Sequence, residues 1–265
     1  MTKRCGPRQL IVLVLLCVVV LVQPKASRGL NAQTFVNDEY AKIDFDHASR
    51  SATLSVLNYN RPLLEGLRAV RSHYGWKVDL EEPPHPTVPR GGQFVSTYPE
   101  STDIYATLSS SRAAVLNKIV SDYNQAGFPG RYSVVPQPDG SFVVTGTAIQ
   151  DSDGTYQPVT PILDTKISIP AEPRSHGQTL ALIMKTLSET SGLKVSLGAM
   201  PTMWLSGVAE AIGGNNVAAR TLIRQTIGPD MVWSLYFDPK LKWYMLNVSW
   251  VERDMKSWGR RTTVP

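Results

Sequence analysis

The chain has 265 residues, 42% of them apolar and 18% charged, a balance that excludes a wholly disordered chain and is enough for two small domains. Its formal charge of +5 sits largely in the first 26 residues: Lys3, Arg4, Arg8 and Lys25 lie there with no acid, and without them +1 remains, too little to argue for nucleic-acid binding. Cys5 and Cys17, the two cysteines, fall in the same stretch, so a product lacking it has no thiol, disulfide or cysteine metal site.

Lys3, Arg4 and Arg8 precede an uninterrupted apolar run from Leu10 to Val22, which reads as a secretory signal over residues 1–26 or as an uncleaved anchor. As a helix the run spans about 20 Å at ~1.5 Å per residue, short of a ~30 Å hydrocarbon core, and this favours the signal. Cleavage is expected after Ala26 or Ala32. Residues 27–51 are a mixed lead-in. Asp44, Asp46 and His47 have metal-ligand character there, but no further histidine or carboxylate has the spacing to complete a site, so a solvated edge strand is the expectation.

From residue 52 to 149 the pattern is regular. LSVLNY from Leu54 predicts a strand, Arg61-Pro62 a helix start, and Leu63, Leu67, Val70 and Tyr74 one helical face closed by Gly75. Trp76, Val78 and Leu80 then alternate as a strand does. Residues 81–103 are crowded with Pro and Gly and read as a loop with at most a short edge segment, which puts His85 on the surface. Ser109 to Ser111 cap a second helix with Leu116, Ile119, Val120 and Tyr123 on one face, and a hairpin follows, 132–135 and 142–147 around Pro138-Asp139-Gly140.

Residues 150–164 read as a linker. Asp151, Asp153 and Gly154 imitate part of a calcium loop, but Ile149 and Thr160 stand where its first and last ligands belong, so a polar turn is expected. Residues 165–250 then repeat the first order: a strand to Pro170, a helix with Leu180, Ile183, Met184 and Leu187 at i, i+3, i+4 and i+7, Gly192, and a strand through Val195. A helix from about Val217 to Ile227 and a hairpin around Asp238-Pro239 complete it. Setting Gly75 on Gly192 pairs Trp76 with Leu193 and Val78 with Val195, and YSVVPQPDGSFVV from Tyr132 matches WSLYFDPKLKWYM from Trp233 without a gap. The expectation is an α+β fold of two small tandem modules, each with two helices packed on small β-sheets.

The 167–195 unit, strand, Pro, helix, Ser-Gly turn, strand, resembles the short N-terminal domain shared by secretins and TonB-dependent receptors, and residues 52–148 resemble it less closely. The resemblance implies a non-catalytic periplasmic adaptor that contacts envelope proteins. No barrel or secretin core follows before Pro265, so channel and receptor activity are not carried over.

No nucleophile elbow, P-loop or zinc-helix motif occurs in the sequence, and His47, His73, His85 and His176 share no spacing, so no catalytic, cofactor or metal residue is assigned. Trp233, Trp243 and Trp250 fall on the last hairpin, where core packing and an exposed partner-facing surface are both open readings. Trp243 and Trp250, with Trp258, Arg260 and Arg261 of the basic tail 251–265, are the candidate partner-binding residues. The expected function is an exported interaction or scaffold module with an envelope protein partner, without nucleic acid and touching the membrane only through an uncleaved signal. Homo-oligomers, a binding module for peptidoglycan or a small envelope ligand, and an enzyme with a site assembled from distant residues stay open.

Overall fold

The computed structural model describes residues 40–46, 48–87, 92–99 and 109–251. The signal run, His47, Trp258, Arg260 and Arg261 lie outside them. The fold is α+β. In chain order it runs β1 (Ala41–Asp46), β2 (Ser51–Tyr59), α1 (Pro62–Tyr74), β3 (Val78–Glu81), β4 (Gly92–Pro99), α2 (Ser109–Gln125), β5 (Gly130–Pro136), β6 (Phe142–Gln150) and β7 (Tyr156–Pro158). A 3₁₀ turn over Ile162–Asp164 leads to β8 (Lys166–Ser175), α3 (His176–Ser191), β9 (Lys194–Leu197), α4 (Thr202–Leu205), β10 (Val208–Ala218), α5 (Ala219–Ile227), β11 (Met231–Asp238) and β12 (Trp243–Trp250). No helix among the described residues is long and apolar enough to cross a membrane.

Local chemistry accounts for the helix ends. Pro62, whose fixed φ suits a first turn, opens α1, and Gly75 at φ 67° closes it by donating its N–H to the Arg71 carbonyl. Ser175 and Gln178 form a reciprocal capping box on α3, and Gly192 at φ 72° ends that helix in the same way. The stripe Leu180, Ile183, Met184 and Leu187 is buried as its spacing predicts.

One sheet joins the two halves, in the order β5-β6-β3-β11-β12-β9, with β7 added on β6. The separate sheets expected for the two halves are instead merged, because β3 pairs in parallel with β11 at Leu80–Ser234 and Glu81–Leu235. Alternation along the strands splits the side chains between two cores. Val78 and Leu80 of β3 and Phe142 and Val144 of β6 join α1 and α2 in one cluster. Val143 faces the other way and joins Trp233, Leu235 and Phe237 of β11 with α3 and α5. The cores therefore lie on opposite faces of one sheet. Two smaller sheets, β1-β2-β4 and β8-β10, cover the helices from outside.

The halves also match in register. Val78 pairs with Phe142 and Leu80 with Val144, as Val195 pairs with Tyr244 and Leu197 with Leu246. Val144 then faces Val134, as Leu246 faces Leu235. The ungapped hairpin match holds for β5 and β11 and slips by one beyond the turn: Phe142 takes the place of Tyr244, not Trp243, since the loop between paired Phe237 and Tyr244 is one residue longer than that between paired Pro136 and Phe142.

The loop expected over 81–103 is corrected in part. It contains β4, whose Phe94, Ser96 and Tyr98 are buried alternately, and β4 tolerates its prolines and glycines because it is an outer strand ending at Pro99. The expected linker is ordered too. β7 folds back on β6, and Ile162 and Leu163 are buried in the second core.

Candidate partner-binding face

The joint between the halves determines which surfaces remain free. β3 carries two buried carboxylates, Asp79 and Glu81, and the residue after it, Glu82, is a third; the strand shares only two register pairs with β11. Side chains extend the pairing: Asp79 Oδ1 accepts the Trp233 N–H at 2.9 Å, and Glu82 Oε2 accepts the Phe237 N–H at 3.0 Å. Arg61 donates to Glu82 Oε1 at 2.9 Å and to the Phe237 carbonyl at 2.9 Å. On the opposite face α5 lays Arg220 on Glu81 at 2.7 Å and Arg224 on Asp79, while the Leu163 N–H reaches Glu81 Oε1 at 2.9 Å.

Burial pushes the Glu81 carboxyl up to about 7 against the pull of Arg220, and desolvation lowers Arg224 to about 10. Each carboxylate bonds an arginine and a backbone amide, so the cluster ties β3 and the residue after it to β11, α5 and the Ile162–Asp164 turn. Replacing both members of such a buried pair by apolar residues can be nearly neutral, whereas removing one member leaves the other uncompensated and is costly.

His85 belongs to this joint. Expected on the surface, it is fully buried, its ring 3.7 Å from the Glu82 carboxylate and edge-on to Phe237. The prolines around it turn the chain inward: the His85 N–H bonds the Pro83 carbonyl at 2.8 Å, and Pro83 seats on Gly146, where a Cβ would come within 2.4 Å of the proline ring. Neither ring nitrogen of His85 has a hydrogen-bond partner among the described residues. No group of three potential metal ligands occurs among them either.

The other flagged residues take local roles. His176 opens α3, stacks on Trp204 and places Nδ1 3.0 Å from its carbonyl, while His73 packs beside Phe45 and Tyr74. Asp46 binds the Ala48 N–H and the Ser49 hydroxyl. Asp151, Asp153 and Gly154 form the turn between β6 and β7, with Asp153 accepting the Thr155 N–H at 2.9 Å. An open trough of about 480 Å³ between β8 and β10 is lined by Ser168, Ile169, Pro170 and Gly213 to Asn215. Its two polar side chains, Ser168 and Asn215, bond each other at 2.7 Å.

The ends of the large sheet are guarded. At β5 the N–H and C=O of Tyr132 are both taken by Asn124 of α2, and Pro136 has no N–H to offer. At β9 the Ser188 hydroxyl bonds both the N–H and the C=O of Val195. Capped edges of this kind resist addition of a further strand.

One face of the sheet is only partly covered by the described residues. Tyr244, Leu246 and Val248 of β12 point into the second core, so Trp243, Met245, Asn247 and Ser249 point the other way, partly exposed and outside both cores. Beside them on β9 lie Lys194, opposite Trp243, and Ser196, opposite Met245. Lys194 Nζ sits 3.9 Å from the Trp243 ring centre. Asn247 is occupied, accepting the Ala199 N–H at 2.6 Å. Trp250 at the far end is 53% exposed, and Leu241 at the hairpin tip 57%, between Lys240 and Lys242. Of the three hairpin tryptophans, Trp233 is thus core and Trp243 lies on this face, while Trp250, paired with core Met231, points to the opposite side of the sheet, so the structure does not bring Trp243 and Trp250 onto one surface.

Periodicity could not flag this face, because Trp243 and Trp233 look alike until the register of β12 is known. Comparison with protein-family models, with curated proteins and with solved structures finds no match to this chain.

Proposed function

We propose that the chain is an exported, non-catalytic envelope protein acting as a protein–protein interaction or scaffold module. In this reading it is built from two divergent copies of one α+β unit similar to the short N-terminal domains of secretins and TonB-dependent receptors. The contact surface is the Trp243–Met245 face of the second copy. The matched registers of β3-β6-β5 and β9-β12-β11 support the two-copy reading. Export rests on the basic start and the apolar run to Val22.

The observation that carries the interaction reading is the contrast between Val143 and Met245. They hold matching places, opposite Asp79 on β3 and opposite Ser196 on β9. Val143 is buried in the core beneath α3 and α5, whereas Met245 is left partly exposed beside Trp243. A protected-edge sheet that leaves an aromatic and a thioether side chain partly exposed side by side has a surface suited to a partner.

A photoreactive residue placed at Met245 of the full chain, in exporting cells, is expected to give one discrete protein adduct. The same residue at exposed Ala181 of α3 is expected to give none. Absence of the adduct at position 245, or equal labelling at both sites, overturns the reading. N-terminal sequencing of the chain from the envelope fraction should begin between Ser27 and Gln33, and full-length chain confined to the cytoplasm would remove the export claim.

A further inference from the structure

We propose that the occupant of this face is an α-helix of another protein, its apolar stripe on Trp243 and Met245 and an acidic flank on Lys194, Lys240 and Lys242. The proposal rests on the interaction reading above and names the kind of partner.

Shape comes from the joint already present in the molecule. The equivalent face of the first half is covered by a helix: α5 sets Arg220 and Arg224, one turn apart, on Glu81 and Asp79. Two strands in the same register present the same spacing of rows on β9 and β12, and an element of the same diameter fits them. A strand is disfavoured, since the sheet's ends are capped by Asn124 and Ser188.

The chemistry is reversed between the two faces. Where β3 has Asp79 and Glu81, the matching positions after Val195 are Ser196 and Gly198, which carry no charge. The end of the face is basic instead. Lys194 lies over Trp243, and Lys240 and Lys242 flank exposed Leu241. Asp238, the acid of that turn, is engaged with the backbone N–H groups of Lys240 and Leu241. A helix suited to the first face would bring arginines; one suited to this face brings carboxylates. The chain's own residues 252–265 are a poor match, because Arg253, Lys256, Arg260 and Arg261 outnumber Glu252 and Asp254 and would meet a rim of like charge.

The test is to sequence the segment cross-linked to position 245 by mass spectrometry. It is expected to carry apolar residues at i, i+3 or i+4, and i+7, flanked by Asp or Glu. The yield should fall at least tenfold in a Lys194→Glu, Lys242→Glu chain. Lys194→Gln, Lys242→Gln serves where the doubly acidic chain has a lowered melting temperature, and is expected to lose adduct in the same direction.

A synthetic peptide of the captured segment should bind the purified chain in a salt-dependent way. Exchanging its acidic residues for lysine should restore binding to the Lys→Glu chain. Cross-linking to lipid, to residues 252–265, to a second copy of this chain, or to a basic or extended segment overturns the proposal while leaving an open face in use. No adduct of any kind at position 245 sinks the interaction reading itself.

Discussion

Val143 and Met245 hold corresponding places in β6 and β12, yet the first is 1% exposed and the second lies partly open. The cause is the way the halves are joined. The strand order β5-β6-β3 is followed by β11-β12-β9, and because β3 runs parallel to β11 while β12 and β9 run opposite, each strand of the second half is reversed relative to its counterpart. Reversal at constant order turns the sheet over, so the helices of the two halves fall on opposite faces.

The second half therefore covers the rear face of the first with α5. Among the described residues, the first half reaches back to β11, where Arg71 and Arg68 meet Ser234 and Tyr236. A head-to-tail relation of this kind leaves one rear face without a cover at its end, whereas a twofold relation would bury equal patches of both.

The largest expected effect breaks the joint itself. Asp79→Ala leaves the buried Trp233 N–H and the part-buried Arg224 without their shared acceptor, and should cost about 3–5 kcal/mol in urea unfolding. The transition should stay single if the halves unfold as one body. A loss under about 1 kcal/mol would show that the buried pair is not what holds the joint. Next comes the core of the second half. Leu187→Ala removes a fully buried side chain of α3 and should cost about 2–5 kcal/mol with no partner present. A loss in the range of surface substitutions would move that helix face from core to binding surface.

The joint also predicts a pH response. Glu81 is pushed up to about 7 in the folded chain from an ordinary value of 4.5. Between those values the folded state holds a proton that the unfolded chain releases, so this carboxyl's contribution is full below about pH 4.5 and is lost as pH rises through about 7. The shift corresponds to roughly 3 kcal/mol across that window. Urea unfolding of the parent chain and of Glu81→Gln at pH 5 and pH 8 isolates it. The difference in stability between the two pH values should shrink in the variant. Glu65, whose carboxyl burial also raises, keeps a slope of the same sign in both chains. Equal slopes would show that Glu81 ionises normally.

Much of this architecture was legible where periodicity and backbone punctuation act locally. The α3 stripe, Gly75, Gly192 and both hairpins are features of neighbouring residues, and the α+β class follows from them. What escaped depends on contacts between distant segments. Asp79, Glu81 and Glu82 are ordinary surface residues by composition and become buried only because Arg61, Arg220 and Arg224 arrive from far along the chain. His85 escaped because Pro-rich segments usually run over the surface, and this one is pinned by Gly146. β4 was hidden by its flanking Pro and Gly, although Phe94, Ser96 and Tyr98 do alternate with exposed neighbours. For the candidate face, the tryptophans were visible and their orientation was not: one extra residue in the last hairpin loop decides that Trp243 faces away from the core.

The smallest effect is the sharpest test of the comparison. Val143→Ala removes two methyl groups beneath a helix and should cost about 2 kcal/mol, the transfer and cavity contributions of a small buried side chain. Met245→Ala at the matching position removes a longer side chain from a partly exposed surface and should cost less than about 0.5 kcal/mol in the isolated chain. By area alone the order would be reversed, since methionine has more apolar surface than valine. The two variants therefore separate coverage from size. If Met245→Ala proves as costly as Val143→Ala without a partner, then something within the chain already covers the second face and the asymmetry is not real. If it is silent in the isolated chain yet abolishes the adduct formed by a photoreactive residue at neighbouring Trp243, the open face is where binding energy is gained.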